Sequence, residues 1–428
     1  MNQSSQQKLI VLAFSGGLDT SFCVPYLIEA GYVVHTIFVD SGGISSTDKQ
    51  QIEKRALSLG AIQHHQVNIG QALWQQVITP MVKAGYWYQN QYPLLCSDRY
   101  LIVEACLKLC DQLGTQYFAH GCTGMGNDQV RFDLAVQSLG DYTIISPIRE
   151  IQKHTQQVRE YEKQYLIEKG FDVSDKVSKY SINENLLGAT ISGSEIDEWQ
   201  SPGEASYVLT TPPSQVDSVD EFVTIQFLHG EVVAINKNCL DESFTGEHAV
   251  QRLNQIGGKL AIGRGIYTGD TTIGLKGRIV FEAPALHCLN IAHTALEQAI
   301  LSKAQNRFKT QVAQKWTELV YEGFFYDPLK MDLEAFLNSS QKQVSGEVTL
   351  LLSNGQAQAV AITSPNILKD KQSIYAQSAN WNIEEAQGFI KLFGKSSTMA
   401  ANQHLIDQSN VNCAEPDASE SKLVEKAS

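Results

Sequence analysis

LAFSGGLDTSF, residues 12–22, places two adjacent glycines, one carboxyl and three hydroxyl side chains at the end of an apolar run. The run KLIVLAF that leads into it is typical of a buried β-strand, and DTSFCVPYLIEAG after it is typical of a helix. Glycines let a ligand approach the backbone closely, and the N–H groups at a helix start favour an anion. The stretch therefore predicts a strand–helix junction that binds phosphate, at the beginning of an α/β domain.

Strand and helix patterns alternate along residues 1–170. The predicted strands are KLIVLAF, YVVHTIFVD, AIQHHQVNI, QYFAHG and TIISPI. Alternation of this kind is typical of a doubly wound parallel sheet with helices on both faces, which binds ligands beyond the carboxyl ends of its strands. We therefore predict a first domain of the α/β class over residues 1–170.

The pattern changes after residue 170 and predicts an α+β second domain over residues 171–380. The segments EFVTIQFLHGEVVAINK and GEVTLLLSNGQAQAVAI each predict a β-hairpin, the second around the turn signal Asn354-Gly355. EHAVQRLNQIGG and the stretch from Leu289 to Gly323 have the periodicity of helices.

Two C-terminal segments differ from the main body. NIEEAQGFIKLFGK predicts an amphipathic helix within residues 381–395. Because this helix is detached in sequence from the main core, we expect it to dock on another subunit. Residues 396–428 are mostly polar and weakly periodic, which predicts a mobile, disordered tail.

Composition limits the classes of function. The 428 residues carry a net charge of -13, which argues against a general nucleic-acid binder, so an anionic substrate needs a locally positive site. The eight cysteines form no CxxC pair, which predicts reduced, mostly buried thiols in a cytoplasmic protein. MNQSSQQ does not resemble a secretory signal, and no apolar run is long enough to span a membrane, so we expect no membrane partner.

The side chains of the first motif suit a bound phosphate and a cation. Ser15, Thr20 and Ser21 can donate hydrogen bonds to phosphate oxygens. Asp19 does not face phosphate favourably on its own, so it predicts either a Mg²⁺ bridge or a brace for the backbone. The alternative, that Asp19 or Thr20 only caps the helix after a tight turn, explains one residue of the cluster and not the rest.

A second motif, AHGCTGMGNDQVRFDLA (residues 119–135), follows the fourth predicted strand and enters a helix. Thr123, Asn127, Asp128 and Arg131 combine hydrogen-bond donors and acceptors with a fixed cation, which suits an amino acid with an ammonium and a carboxylate group. A Gly-rich turn with a capped helix and a surface ion pair at Arg131 explains this segment alone equally well. Its occurrence together with SGGLDTS favours the ligand-binding interpretation.

The motif SGGLDTS resembles the PP-loop of the N-type ATP pyrophosphatases, which cleave ATP between its α- and β-phosphates. From about Lys8 to Gly394 the chain is similar to the argininosuccinate synthase family, because five stretches occur in the family's order and spacing. These are AFSGGLDTS, AHGCTGMGNDQVRF, KYSINENLLGAT, RLNQIGGKLAIGR and LVYEGFFYDP. The resemblance implies an ATP-dependent ligase of arginine biosynthesis that joins citrulline and aspartate through a citrullyl-adenylate and releases AMP and pyrophosphate.

The same resemblance implies the cofactors and the assembly. ATP is the co-substrate and Mg²⁺ the metal. Residues 1–170 would be the ATP-pyrophosphatase-like nucleotide-binding domain, and residues 171–380 the synthetase and multimerisation domain. The helix within residues 381–395 would hold a homotetramer together.

The resemblance also implies roles for individual residues. Positions assigned to ATP are Ala13, Phe14, Ser15, Gly16, Gly17, Leu18, Asp19, Thr20, Ser21, Val39 (beside the adenine) and Gly121. Positions assigned to aspartate are Thr123, Asn127 and Asp128. Positions assigned to citrulline are Tyr92, Ser97, Asn127, Arg131, Ser181, Thr190 and Phe281. Compared with the family's pattern, this chain has one residue fewer between Ser97 and Arg99. The candidates for catalysis are Asp19, Asp128 and Arg131, and Asp128 or the substrate's own phosphate is the candidate base for the aspartate amine.

Two positions depart from the family's pattern at the citrulline end. The family commonly has Glu where this chain has Gly269, and Tyr where it has Phe281. Asp270, one residue along, is a candidate substitute for the missing carboxylate. We favour repacking around unmodified citrulline. The alternative is an N-acylated citrulline, whose blocked amine needs no carboxylate.

Other functions of the same loop fit the chain less well. A tRNA-thiolating enzyme is expected to have catalytic cysteines and a basic surface, and a glutamine-dependent amidotransferase needs a glutaminase domain; the sequence shows neither. A non-catalytic nucleotide sensor on the same fold is the remaining alternative, and the intact loop together with GNDQVR argues against it.

Overall fold

The computed structural model describes residues 8–173, 179–216, 219–237, 244–374, 377 and 379–412. The chain forms two compact units, Met1–Ile367 and Leu368–Ser428. The first unit contains the three described sheets, and the second contains two helices. The predicted domain boundary at residue 170 falls inside the first unit and stays a prediction.

A parallel sheet of five strands confirms the α/β prediction for the N-terminal part. The strands are Lys8–Ala13 (β1), Tyr32–Asp40 (β2), Gln63–Asn68 (β3), Tyr117–Ala119 (β4) and Thr143–Ile145 (β5). They pair in the order β3-β2-β1-β4-β5, all parallel, so the chain winds first to one side of β1 and then to the other. The carboxyl ends of β1 and β4 meet where the winding reverses, which is where such sheets bind ligands.

Helices connect and cover these strands. They are Leu18–Glu29 (α1), Ser46–Ser58 (α2), Gly70–Leu73 (α3), Thr79–Ala84 (α4), Asp98–Leu113 (α5), Asn127–Leu139 (α6), Pro147–Gln152 (α7) and Val158–Glu168 (α8). A π-helical turn, Trp74–Ile78, joins α3 to α4. Helix α1 begins at Leu18 and continues past Pro25.

Alternate side chains of β1 enter two different cores. Ile10 and Leu12 pack in the core that contains Phe22 of α1, whereas Val11 packs in the core that contains Tyr100 of α5. All five side chains are fully buried. The sheet therefore has helices on both faces, as its continuous apolar strands predict.

Two antiparallel sheets follow in the same unit. Their strands are Ser181–Asn185 (β6), Gly188–Ser192 (β7), Glu221–Leu228 (β8), Glu231–Lys237 (β9), Arg264–Asp270 (β10), Lys276–Glu282 (β11), Gly346–Ser353 (β12) and Gln356–Thr363 (β13). The strand orders are β10-β11-β7-β6 and β13-β12-β8-β9. The predicted hairpins β8–β9 and β12–β13 are confirmed, and Asn354 and Gly355 have φ of 41° and 82°, as a tight hairpin turn requires. The hairpins β6–β7 and β10–β11 were not predicted.

Four further helices belong to this part of the chain. They are Gly246–Lys259 (α9), Pro284–Ile300 (α10), Lys303–Glu322 (α11) and Pro328–Ser340 (α12). The stretch from Leu289 to Gly323, predicted as continuously helical, is therefore two helices. The break falls at Ser302, which caps α11 by forming a reciprocal capping box with Gln305.

The second unit consists of helices Ile383–Phe393 (α13) and Lys395–Asn412 (α14). The first confirms the predicted amphipathic helix. The second corrects the predicted tail, which is helical up to Asn412. This helix contains good helix formers such as Met399, Ala400 and Ala401. It has no apolar stripe, so the hydrophobic periodicity used for the prediction could not reveal it. Residues 413–428 lie outside the described part of the chain.

The β6–β7 hairpin contacts the carboxyl edge of the parallel sheet. The Leu186 N–H donates to the carbonyl of Ser41, directly after β2, at 2.8 Å. Asn185 Nδ2 donates to the carbonyl of Leu95 at 2.8 Å. These bonds bring the sheet of β6, β7, β10 and β11 to the edge where ligands of the parallel sheet bind.

Two other expectations concern the whole chain. The six cysteines in the described residues are free thiols, and all except Cys122 are buried. Within the described ranges, no helix combines the length and the apolar character that crossing a membrane requires.

Candidate functional site

The loop between β1 and α1 is shaped to hold an anion. Gly16 has a φ of +81°, and a Cβ on it would lie 3.0 Å from Ile52 Cγ1, so only glycine fits there without strain. Gly17 is the N-cap residue of α1, and no side chain caps this helix. The interpretation of Asp19 or Thr20 as a simple N-cap is therefore wrong. Because the first N–H groups of a helix have no intrahelical acceptor, those of α1 are available to an anion.

The hydroxyl groups of this loop divide into two sets. Ser15 Oγ and Thr20 Oγ1 lie 3.2 Å apart on the exposed side of the loop. Ser21 is buried, and its Oγ accepts a hydrogen bond from Arg55 Nε of α2 at 3.3 Å. Ser15 and Thr20 can therefore donate to a ligand, whereas the predicted contact between Ser21 and phosphate would require Arg55 to release it.

Four other positions assigned to ATP offer mainly backbone groups. Phe14 and Val39 are 3% and 7% exposed, and their side chains belong to the hydrophobic cores. Ala13 ends β1 and Leu18 begins α1, and both are half-buried. A nucleotide at these positions would contact peptide groups and the edges of apolar side chains.

Asp19 has a second acid, Glu162 of α8, as its neighbour. Glu162 is fully buried. Burial and the Asp19 carboxylate raise the pKa of Glu162 to about 8, against a lowering by Arg159. Burial also raises the pKa of Asp19. The pair therefore keeps a proton near neutral pH and carries less negative charge than two free carboxylates would.

The second motif lies directly against the first. Strand β4 pairs with β1, and a Cβ on Gly121 would lie 3.1 Å from Thr20 Cγ2 and 3.4 Å from Thr20 N. Helix α6 follows the N-cap residue Gly126, again without a side-chain cap. Two uncapped helix N-termini therefore follow neighbouring strands at one edge of the sheet, which makes this edge attractive to anions despite the acidic chain.

Arg131 is part of a buried charge network and not a surface ion pair. Its Nη1 donates to Asp128 Oδ1 at 2.8 Å, and its Nε donates to the Tyr321 carbonyl at 3.0 Å. The other Asp128 oxygen accepts from Arg99 Nε at 3.1 Å, and Arg99 Nη1 donates to Asp98 Oδ1 at 2.6 Å. Although burial raises the pKa of Asp128, Arg99 and Arg131 hold it below its usual range. Asp128 is therefore an ionised carboxylate between two guanidinium groups.

Asn127 and Thr123 lie at the start of α6. Asn127 Oδ1 accepts hydrogen bonds from the N–H and the hydroxyl of Thr272, at 3.2 and 3.0 Å, in the turn between β10 and β11. Asn127 Nδ2 donates to the Tyr321 hydroxyl at 3.4 Å. A Cβ on Gly126 would lie 3.5 Å from Thr123 Oγ1, so the Thr123 hydroxyl is beside the helix start. The predicted aspartate contacts are thus together, and Asn127 joins them to the β10–β11 hairpin.

Tyr92, Thr190 and Phe281 form one wall at the predicted citrulline end. Tyr92 Oη lies 3.3 Å from Thr190 Oγ1, and the rings of Tyr92 and Phe281 meet edge-on with centroids 5.9 Å apart. Phe281 and Thr190 are directly opposite each other in the β11–β7 pairing. The three side chains therefore share one surface.

The two remaining predicted citrulline contacts differ from each other. Ser181 is exposed on the edge strand β6, two residues before Asn183, which pairs with Thr190. Ser181 therefore lies on the same face of the sheet as Thr190. Ser97 is fully buried, and its hydroxyl donates to the Leu94 carbonyl at 2.8 Å. Ser181 thus shares the sheet face of Thr190, whereas the Ser97 side chain is engaged with its own loop.

The space beside Gly269 is already filled. A Cβ on Gly269 would lie 2.3 Å from Gln89 Oε1 and 2.4 Å from the Tyr267 hydroxyl. The neighbouring Asp270 accepts a hydrogen bond from Gln89 Nε2 at 2.6 Å and pairs with Lys276 at 2.5 Å. Gln89 and Tyr267 therefore occupy the space that a side chain at position 269 would need, and the choice between citrulline and its N-acylated form stays a prediction.

Sequence reasoning missed the residues that join the two motifs to the second sheet. Tyr88 and Tyr321 stack with ring centroids 3.7 Å apart, and the Arg131 guanidinium lies 4.9 Å from the Tyr321 ring centroid. Tyr321 was visible only as part of LVYEGFFYDP, without a role. For Arg99, the only indication in the sequence was that this chain has one residue fewer than the family's pattern just after Ser97.

Comparisons with known proteins match nearly the whole chain. The family model described as "Arginosuccinate synthase N-terminal HUP domain" matches residues 9–168, and "Arginosuccinate synthase C-terminal domain" matches residues 180–400. Argininosuccinate synthase of Xanthomonas campestris pv. campestris is 58% identical over 394 residues, which cover 92% of this chain and 98% of that protein. The enzyme of the same name from Xylella fastidiosa is 57% identical, and the match covers 92% of this chain and 97% of that protein. The one from Pyrococcus furiosus is 37% identical, and the match covers 92% of this chain and 94% of that protein.

Gly16→Ala is expected to weaken pyrophosphate binding by about tenfold or more, because a side chain at this backbone conformation and beside Ile52 shifts the loop. Titration calorimetry with pyrophosphate measures the change. Gly17→Ala is the matched control, since Gly17 has a φ of −72° and its Cβ would come no closer than 3.5 Å to Ser15 Oγ. Unchanged affinity in Gly16→Ala would contradict the predicted loop geometry.

The raised pKa of Glu162 predicts a pH-dependent stability. This carboxyl titrates at about 8 in the folded protein and near 4.5 when unfolded, so the folded state binds more protons between these values. Its ionisation therefore lowers the free energy of unfolding as pH rises through this window, by at most about 1.4 kcal/mol per pH unit. Urea unfolding of Glu162→Gln should show a weaker fall than wild type toward pH 8. The exposed Glu160→Gln on the same helix should follow wild type, and identical slopes for all three proteins would refute the prediction.

Proposed function

The chain belongs to the argininosuccinate synthase family, ligases that join citrulline and aspartate with ATP in arginine biosynthesis, and we propose that its two uncapped helix N-termini hold the reactants of that ligation. The observation that carries this proposal is the contact between the two motifs at Gly121 and Thr20. It supports the proposal because the loop suited to phosphate then lies beside the segment that leads into α6, so ATP and an amino acid can lie next to each other.

The start of α1 is the pyrophosphate end of the site. In the proposed reaction the ureido oxygen of citrulline attacks the α-phosphorus of ATP, an O–P bond forms, and the bond to pyrophosphate breaks. Catalysis of such a step depends on positioning and on neutralising the departing charge. The N–H groups of α1, with the hydroxyls of Ser15 and Thr20, are directed to that task.

Asp19 is the residue that fits Mg²⁺. Magnesium is usually held by one or two carboxylates together with substrate phosphates and water, not by a complete protein cage. Asp19 provides a carboxyl group beside the phosphate loop, and a bound Mg²⁺ would supply charge neutralisation for the leaving pyrophosphate.

The start of α6 is the amino-acid end of the site. Arg131 and Arg99 offer fixed cations toward carboxylate groups, and Thr123 and Asn127 offer neutral donors and acceptors. The aspartate amine attacks the activated carbon of the adenylate, and AMP leaves. Because Arg99 and Arg131 lower the pKa of Asp128, it is a weak base, and we assign it to holding charge in place. The phosphate of the substrate is then the base for the amine.

A pyrophosphate-release assay with ATP, aspartate and citrulline, omitting each in turn, tests the reaction. Release that requires both ATP and citrulline supports the proposal. Binding of ATP without citrulline-dependent release would favour the nucleotide-sensor alternative instead. Substituting N-acetylcitrulline for citrulline in the same assay decides between the two interpretations of the wall around Gly269.

Asp19→Ala is expected to lower the rate of pyrophosphate release by about a hundredfold or more, because the cation beside the departing pyrophosphate loses its protein ligand. The circular dichroism spectrum should be unchanged, which separates this effect from unfolding. Asp141→Ala, at an exposed loop position, removes the same side chain elsewhere and should keep wild-type activity. Undiminished turnover of Asp19→Ala would exclude its role at the loop.

We further propose a homotetramer held by α13, and a cytoplasmic location. In α13 the side chains of Ile383, Phe389, Ile390 and Phe393 are 63% to 73% exposed and lie toward one side of the helix. Large apolar side chains clustered in this way are typical of an interface, and the family resemblance indicates a second copy as the partner. The free thiols of the described cysteines support the location.

The double variant Phe389→Lys, Ile390→Lys should dissociate the oligomer, because it places two charges in the apolar face of α13. Light scattering after gel filtration measures the mass. Gly388→Lys is the matched control, since no atom lies within 4 Å of a Cβ there and the residue is on the opposite side of the helix. A tetramer that survives the double variant, or a wild-type monomer, would rule out this interface.

A further inference from the structure

We infer that an acidic cavity beside the amino-acid end of the site binds an organic cation of the guanidinium class. The cavity has a volume of about 370 Å³ and lies between the segment 86–89, the turn between β10 and β11, and the C-terminal part of α11. A volume of this size accommodates a ligand as large as an amino acid. Tyr92, Thr190, Asn127 and Arg131 do not line it, whereas Asp270, the candidate carboxylate at the citrulline end, does, so the cavity adjoins the proposed substrate contacts without including those four.

The charges around the cavity have one sign. Asp270, Glu318 and Glu322 line it, and its described lining contains no Lys, Arg or His. Asp270 is paired with the largely exposed Lys276, and Glu318 with Lys315 at 3.3 Å. Glu322 has no ion-pair partner among the residues that the structure describes. The cavity therefore has negative charge that the protein does not neutralise, which favours a cation over an anion or a neutral ligand.

A hydroxyl group that faces the same cavity makes no hydrogen bond to the described residues. Tyr88 lines the cavity and is 6% exposed, and in the described part of the chain its hydroxyl makes no hydrogen bond. Burial raises the pKa of Tyr88 to about 12, so this hydroxyl stays protonated. A hydroxyl group at a cavity wall can donate a hydrogen bond to a bound ligand and accept one from it. The unpaired Tyr88 hydroxyl therefore points to an occupant with polar atoms, independently of the carboxylates.

A guanidinium group matches these features best. Its planar array of N–H donors can bond carboxylates in pairs, and it keeps its charge at every physiological pH. Arginine and citrulline have the same length and differ at this end, where citrulline has a neutral ureido group with an oxygen acceptor. Carboxylates repel that oxygen, so the cavity distinguishes the guanidinium from the ureido compound. The occupant is then chemically a relative of the ligation product and not of the substrate.

The cavity shares two structural elements with the proposed reactive site. Tyr88 stacks on Tyr321, whose carbonyl and hydroxyl contact Arg131 and Asn127. The turn that lines the cavity also contains Thr272, which donates two hydrogen bonds to Asn127 Oδ1. An occupant that holds this turn in place keeps Asn127 engaged and so lowers the affinity for the amino-acid substrates. This consequence, unlike the binding itself, rests on the proposed function.

Titration calorimetry on the full chain tests the binding site without turnover. L-arginine and agmatine, both guanidinium compounds, should bind in the presence of saturating citrulline. Glu322→Gln should weaken this binding by about tenfold or more, since one charge-assisted contact is lost. Glu160→Gln, on α8, removes the same charge away from the cavity and should bind as wild type. Absence of binding, or binding that citrulline abolishes and Glu322→Gln leaves unchanged, would overturn the site. Binding of arginine without agmatine would show that the amino-acid end is required as well.

Pyrophosphate-release kinetics test the coupling. Arginine should inhibit with a mixed pattern against citrulline, and Glu322→Gln should relieve the inhibition without changing the uninhibited rate. Purely competitive inhibition that Glu322→Gln does not alter would place arginine in the citrulline site and refute the coupling. If the wild-type chain releases no pyrophosphate at all, the proposed ligase activity fails, whereas the calorimetric result on the cavity stands by itself.

Discussion

A buried guanidinium group connects the two halves of the site. Arg131 belongs to α6, directly after the parallel sheet, yet its Nε bonds to the carbonyl of Tyr321 near the end of α11 and its plane lies beside the Tyr321 ring. A charge that is 3% exposed needs a counter-charge, which Asp128 provides at 2.8 Å. Because the Arg131 side chain is fixed by this pair within α6, its hydrogen bond to the Tyr321 carbonyl ties the end of α11 to α6. The geometry of the amino-acid end follows from this constraint.

The acidic chain binds its anionic ligand by local means. A net charge of -13 repels ATP, and salt largely screens that repulsion beyond about 10 Å. At the edge of the sheet, the uncapped starts of α1 and α6 present backbone N–H groups, and Arg99 and Arg131 are fixed behind them. Because Gly121 permits close approach to Thr20, the segments at the two helix starts lie next to each other at this edge. Short-range dipoles therefore outweigh the overall charge at this point.

The local features of the chain were predictable and the long-range ones were not. Strand β1, the loop at Gly16 and the hairpin at Asn354 follow from apolar runs and turn chemistry within a few residues. Tyr321 reaches Arg131 across 190 positions of sequence, and no pattern near either residue indicates that contact. Ser21 shows the same limit at short range. The motif predicts that the Ser21 hydroxyl contacts phosphate. The packing of α2 instead lets Arg55 donate a hydrogen bond to that hydroxyl.

The charge network also decides what Asp128 does. A general base needs a pKa close to the working pH, so that it accepts a proton in the transition state. Two guanidinium groups lower the pKa of Asp128, which makes it a good partner for cations and a poor acceptor of protons. In the proposed reaction the aspartate amine must still lose a proton before it attacks the activated carbon. If Asp128 is held by Arg99 and Arg131 throughout, that proton goes to an oxygen of the reacting phosphate. The protein then contributes position and charge, while the reactants contribute the proton transfer.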